Sequence, residues 1–397
     1  MKSLLSFYRR HRKTFEAAIL ASLAGFLVYE LILGKLFSSR ALDPDWYRDI
    51  GIMMNGAQVL VEAHRYAPAY LSPPPNAILL SLISRLGAAT AFRLHLVLDA
   101  AAFAVTLACW ASILGLRQKP ERLLAIGAAV AASLYYLGWE LRMHNINLLT
   151  LGLTSLVVVT QRRAGISGLL YGLDIGLKPY GATLLLPWLL WKRQYRWCLA
   201  SGAGLLAIGF VLPALWFGVD ETIRLYREWL QVLETAEGGS RLTLPAAIAT
   251  LTGAAIDAPA VRLATRAAEA AWLAMLAAFF STRNRAAPAA GLPLAAEVAA
   301  MLIAPLPLGF QQPARAAVLL VPMLVVATAA IDESRPLRTR YSLFLIMLFV
   351  GLMPWLVPFG PVQLILMPWF CIASLLGLFI AAGRVDSTVG VSRAAQG

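Results

Sequence analysis

The stretch Ala164-Gly-Ile-Ser-Gly-Leu-Leu-Tyr-Gly-Leu-Asp-Ile-Gly-Leu-Lys178-Pro179, continued by an apolar run to Trp191, decides the architecture. Residues 165–191 are too few for two full membrane crossings at ~20 residues each, and a lysine and a proline stand midway. The spacing predicts a hairpin of two short helices with its apex at Lys178-Pro179. A broken backbone at membrane depth is tolerated only where it lines a cavity or packs against protein. An amine between two apolar runs is costly there unless it meets an anion or a carboxylate. A lipid phosphate is one such anion. The alternative is an ion pair with Asp174, four residues earlier on the same helical face, or with Glu30.

Composition places the hairpin in a bilayer. Hydrophobic residues make up 59% of the 397, and charged residues only 14%, against about a quarter in soluble domains. The mean hydropathy of +0.70 points the same way. Uncharged runs at 100–116, 123–139, 198–219 and 316–331 approach the length of a crossing, and 341–383 carries no charge at all. Within that last run, Pro354, Pro358, Gly360 and Pro361 predict a tight turn between two spans. The first apolar segment, 17–36, is too long for a signal-peptide core and reads as a retained span. Residues 76–87 either cross or re-enter as a shallow helix, and the basic residues from Arg117 favour re-entry. The expectation is an all-α polytopic membrane protein, one membrane domain over 1–383 with a disordered cytoplasmic tail at 384–397.

The net charge of +13 is distributed as topology. Basic groups at Arg9/Arg10/Arg12/Lys13, Arg117/Lys119/Arg122, Arg162/Arg163, Lys192/Arg193/Arg196, Arg283/Arg285 and Arg335/Arg338/Arg340 mark the inside face, with both termini cytoplasmic. They are not a nucleic-acid surface. The segments between them face outward: a first loop at 38–75, Glu140–Asn147, the Lys178-Pro179 apex, a second loop at 219–262, and 305–313. Asp220 to Glu234 reads as an interfacial helix with Ile223, Tyr226, Trp229 and Leu233 on its apolar face. Cys109, Cys198 and Cys371 have no metal-like spacing and read as packing residues.

Three outward groups can carry chemistry. Asp43, Asp45 and Asp49 follow the first span, and a carboxylate desolvated near an interface becomes a better base toward a hydroxyl; the alternative is a solvated turn. Lys178 is the second. The third is Glu140-Leu-Arg142-Met-His144-Asn145-Ile-Asn147, which suits a ligand rich in hydroxyls; the alternative is ordinary helix-end polarity. Arg93, His95 and Asp99 predict a local ion-pair cluster within a helix. No nucleotide-phosphate loop, zinc spacing or nucleophile elbow is present, so a group donor must come from the membrane.

The order of these motifs resembles glycosyltransferase family 87. Asp43 to Tyr47, Gly56, Tyr70 and Pro73 to Pro75 look like that family's first loop. His144-Asn145-Ile-Asn147-Leu-Leu149 is similar to its Gly-Gln-x-Asn-Leu-Leu step, and Ala164 to Tyr180 to its glycine-rich helix ending in Lys-Pro. Gly239-Ser240 through Leu244 resembles its Asn-x-Ser-Leu loop. The family's late Ser-Pro-x-Ser-Trp step and histidines have no counterpart in Ala304 to Gln312.

The resemblance implies a GT-C-type bundle of roughly 11–13 transmembrane helices, at ~20 residues per crossing. It implies inverting transfer of a sugar, mannose in the family, from a polyprenyl phosphate to a glycan or glycolipid hydroxyl at the outer face of a bacterial inner membrane. Asp43 and Asp45 would be catalytic. Lys178, Arg142 and His144 would hold the donor phosphate, with Tyr47, Asn145, Asn147, Ser240 and Gln311 binding substrate. No metal and no cofactor are required. A transporter or flippase of a lipid-linked sugar, with the Lys178 hairpin at its midplane site, and a noncatalytic lipid-carrier binder are the alternatives.

Overall fold

A computed structural model describes residues 48–67, 70, 72–114, 130, 137, 140, 145–179, 183–239, 244–283, 291–307, 320–331, 337–356 and 361–382. The first span with Glu30, the first loop as far as Tyr47, residues 308–313 of the late outward loop and the tail lie outside them.

Every described element is helical: α1 (Arg48–Ala63), α2 (Pro74–Ser84), α3 (Ala88–Ile113), α4 (Asn147–Val159), α5 (Ala164–Leu177), α6 (Leu185–Trp191), α7 (Tyr195–Leu205), a π segment (Leu206–Val211), α8 (Leu212–Phe217), α9 (Val219–Gly239), α10 (Leu244–Thr252), α11 (Pro259–Ser281), α12 (Leu292–Ile303), α13 (Val321–Ile331), α14 (Leu337–Leu356) and α15 (Pro361–Ala382). Among the described residues three helices are long and apolar enough to cross a bilayer, namely Ala89–Ile113, Tyr195–Phe217 and Pro259–Ser281, and shorter apolar helices accompany them. This is an all-α membrane protein.

The 165–191 stretch forms the expected broken hairpin. α5 ends at Leu177, and Lys178 is extended at φ −162° and ψ 114°. The cause is local, because a residue before proline is sterically barred from the α region. α6 returns the chain, setting the Trp188 ring 6.1 Å from that of Trp197 at the start of α7.

α5 and α7 then run in the same direction in close contact. Gly168 faces Ala200, Gly172 faces Gly204 and Gly176 faces Ile208 at a constant offset. A Cβ on Gly172 would stand 2.1 Å from the Gly204 carbonyl oxygen, and one on Gly168 2.1 Å from that of Ala200. Glycine is required here by backbone approach, as in other small-residue helix contacts in membranes.

α4 runs antiparallel to α5. Thr154 donates to the Asp174 carboxylate, and Ser167 Oγ donates to the Val157 carbonyl at 2.9 Å. Their connection is a short turn closed by Arg163 N–H to Thr160 O at 2.7 Å. One end of this hairpin therefore carries Arg162 and Arg163, while Asn145 and Lys178 meet at the other.

α2 opens with Pro74 and Pro75, which are pre-set for a first helical turn. Its 11 residues span only ~16 Å at 1.5 Å each, short of the ~30 Å hydrocarbon core. The helix is buried from Pro74 to Ile78 and exposed at Leu82. Within α3, His95 Nε2 lies 3.3 Å from Asp99 Oδ2 in a buried i,i+4 pair, while Arg93 is exposed.

The main core surrounds α12 and α13, whose apolar residues pack with those of α3 to α6, α11, α14 and α15. A smaller cluster joins α1, the 64–73 loop, α2, α3 and α9 through Leu60, Tyr70, Leu80, Phe92 and Leu225. On the α7–α8 rod, Leu199, Leu206 and Leu215 are exposed, as expected of a helix solvated by lipid tails. The helix expected over 220–234 forms as α9, with Tyr226, Trp229 and Leu233 half-buried. Thr222 and Leu225 are fully buried, whereas Ile223 is exposed. The Tyr226 hydroxyl donates to the Gly209 carbonyl in the π segment and ties α9 to the α7–α8 rod.

Candidate active site

The polar residues of the Lys178 end converge from four places in the chain. Lys178 Nζ donates to Asn145 Oδ1 at 2.8 Å, and the same oxygen accepts the Ile146 N–H at 2.9 Å. Glu140 grips the start of α4 with both carboxylate oxygens: Asn147 N–H donates to Oε1 at 2.9 Å and Asn147 Nδ2 to Oε2 at 3.0 Å. A carboxylate at a helix N-terminus meets the positive end of the helix dipole and satisfies an otherwise orphaned N–H. Glu140, Asn145 and Asn147 are all buried, which is not the solvated helix-end polarity that was the alternative for this motif.

The 64–73 loop supplies the other wall. Tyr70 OH donates to Asn76 Oδ1 at 3.1 Å, and Asn76 Nδ2 donates to the Leu177 carbonyl at 2.7 Å. Tyr66 OH donates to Ser72 O at 3.2 Å, and its ring lies 5.9 Å from that of Tyr70. Burial pushes both phenols above the ordinary tyrosine range, so they stay protonated and act as donors.

At its far end the loop is tied to α9. His64 Nδ1 and Glu221 Oε1 are 3.1 Å apart, Arg224 donates to the His64 carbonyl, and Arg224 Nε donates to Glu221 Oε2 at 2.9 Å. His64 is exposed, yet it anchors the loop to α9.

Of the sequence-predicted residues, Lys178, Asn145 and Asn147 are brought together. Asp43, Asp45, Tyr47, Arg142, His144, Ser240 and Gln311 lie outside the described residues. Asp174, the alternative partner for Lys178, accepts from Thr154, and the lysine side chain reaches Asn145. Tyr70 stands among the residues that carry the family resemblance, whereas Asn76 gave little signal in advance. Asn76 is a single amide at the head of an apolar run, and that isolation was the available clue.

A second polar group sits at the opposite end of the α5–α6 hairpin. Lys192 reads as part of an exposed basic cluster, but it is buried and donates to Glu297 Oε1 at 2.9 Å, while Trp188 Nε1 donates to Oε2 at 2.9 Å. The Lys192 amine also lies 4.7 Å from the Trp191 ring centroid. Arg283 is likewise buried, 4.9 Å from the Phe279 ring. Arg193 and Arg196 remain exposed. Glu297, the single carboxylate in the α12 run, is what draws Lys192 inward.

Fold and site define a membrane-embedded protein with an amine fixed at the tip of a broken helical hairpin, beside buried amides and phenols. The sequence profile of glycosyltransferase family 87 matches residues 70–306, more than half of the chain, and the protein belongs to that family. It is a membrane glycosyltransferase that uses a polyprenyl-phosphate sugar donor. No curated protein and no solved structure matches the chain.

Proposed function

We propose that the Lys178 end of the bundle is the catalytic pocket, and that the reaction is an inverting transfer from a polyprenyl-phosphate sugar, mannose by family analogy, to a hydroxyl of a glycan or glycolipid. The acceptor oxygen attacks the anomeric carbon while Asp43 takes its proton, and Asp45 orients the acceptor or substitutes as base. The bond from the anomeric carbon to the phosphate oxygen breaks, its electron pair stays with the phosphate, and polyprenyl phosphate leaves. Lys178 offsets the charge that builds on the departing phosphate, with Arg142 and His144 assisting. A preorganised donor at such a point is worth several kcal/mol. Tyr47, Asn145, Asn147, Ser240 and Gln311 contact the sugars.

The observation that carries this reading is the placement of Lys178, held 2.8 Å from Asn145 at the hairpin end opposite Arg162, Arg163, Arg193 and Arg196. By the positive-inside rule that basic end is cytoplasmic. The pocket then opens on the outer face of a bacterial inner membrane, within a GT-C-type bundle whose termini are both cytoplasmic, and the loops at 38–75 and 219–262 cover it.

The test is sugar transfer by purified protein from a polyprenyl-phosphate sugar, comparing wild type with Asp43→Ala, Asp45→Ala and the double variant. Loss of a general base should slow transfer by ~100-fold or more. Undiminished transfer in both single variants and in the double variant would remove the assignment.

A further inference from the structure

The peptide unit joining Leu177 to Lys178 is held at both ends. Its carbonyl accepts from Asn76 Nδ2 at 2.7 Å, and its N–H, which belongs to Lys178, donates to Asp174 O at 2.9 Å. A peptide is planar, so two bonds on opposite edges fix its orientation and hence the direction in which Lys178 leaves the helix. The carbonyl is one of those that a helix C-terminus leaves without an intrahelical partner.

Asn76 is itself held. Tyr70 OH donates to its Oδ1 at 3.1 Å, which sets the amide with its nitrogen toward Leu177. Tyr70 in turn packs on Gly56 so closely that a Cβ there would stand 2.6 Å from Tyr70 Cβ. Asn76 and Tyr70 are almost wholly buried.

We infer that Asn76 is a positioning residue for the donor phosphate, acting through the Leu177–Lys178 peptide to aim the Lys178 amine, with Tyr70 fixing the Asn76 amide. The inference rests on the assignment of Lys178 to the phosphate made above. It makes the Gly56–Tyr70–Asn76 sequence of contacts part of the donor site, although none of these residues touches the donor.

The test uses the full chain in lipid nanodiscs and polyprenyl phosphate, the leaving group, as the probe. Four proteins are compared: wild type, Asn76→Ala, Lys178→Ala and the double variant. A misaimed cation should weaken binding ~10-fold in Asn76→Ala, since displacements of about 1 Å carry effects of that order or larger. Because Asn76 acts through Lys178, the double variant should bind within about twofold of Lys178→Ala alone, the non-additivity of two residues in one unit. A merely structural loss would multiply instead.

If Asn76→Ala does not fold, Tyr70→Phe replaces it, with a smaller loss that the Lys178→Ala background should again erase. Unchanged binding in the variant that folds, or an equal loss with and without Lys178, overturns the inference. If Lys178→Ala itself leaves binding unchanged, the assignment of Lys178 to the phosphate fails first. If Lys178→Ala weakens binding and the Asn76 variant does not, only the positioning role fails.

Discussion

Lys192 and Glu297 form a buried ion pair, Nζ to Oε1 at 2.9 Å, that joins the return arm of the Lys178 hairpin to the central helix α12. Removing Glu297 leaves the buried Lys192 charge without the carboxylate that offsets its desolvation. Glu297→Ala is therefore expected to destabilise the protein by ~3–5 kcal/mol, whereas replacing both members with apolar residues of similar size is expected to recover most of that loss. Denaturation in detergent of Glu297→Ala and of the Lys192→Met, Glu297→Leu pair would check this. Equal losses in the two proteins would mean that the pair is not the source of the effect.

The α5–α7 contact makes a second prediction. Gly172→Ala places a Cβ 2.1 Å from the backbone oxygen of Gly204, and neither backbone can yield alone. Overpacking of this kind costs ~1–3 kcal/mol. Gly202 on the same helix has open space where a Cβ would stand, so Gly202→Ala is expected to be neutral or to stabilise by up to ~1 kcal/mol. Thermal melts of the two variants should separate clearly.

The tie between the 64–73 loop and α9 depends on pH. The hydrogen bond from Arg224 holds the Glu221 carboxylate below the ordinary glutamate range, with the Arg224 and His64 charges acting in the same direction. A depressed carboxylate contributes stability that is fully present above its unfolded value and is lost as pH falls through its folded value. The difference in melting temperature between wild type and Glu221→Gln should accordingly be constant at neutral pH and vanish below the ordinary glutamate range. A difference that persists in strong acid would contradict the assignment.

Much of this architecture was legible because local rules set it. The break at Lys178 follows from Pro179, the helix over 220–234 follows from the spacing of its apolar residues, and the His95–Asp99 pair follows from i,i+4 spacing. What escaped the sequence depends on partners far along the chain. Asn76 meets Leu177, and Lys192 meets Glu297, each more than 100 residues away, and no periodicity encodes such meetings. Lys192 shows the limit of reading basic clusters as topology, since one member of a cluster can be drawn into the interior by a single distant carboxylate.

The central claim is that Lys178 carries the charge of the departing lipid phosphate. The most direct measurement is the rate of sugar transfer from a polyprenyl-phosphate sugar by purified Lys178→Ala in nanodiscs, alongside wild type. Removal of one preorganised donor predicts a loss of ~100–1,000-fold in kcat, with the acceptor KM unchanged. Transfer at the wild-type rate in Lys178→Ala would contradict the account.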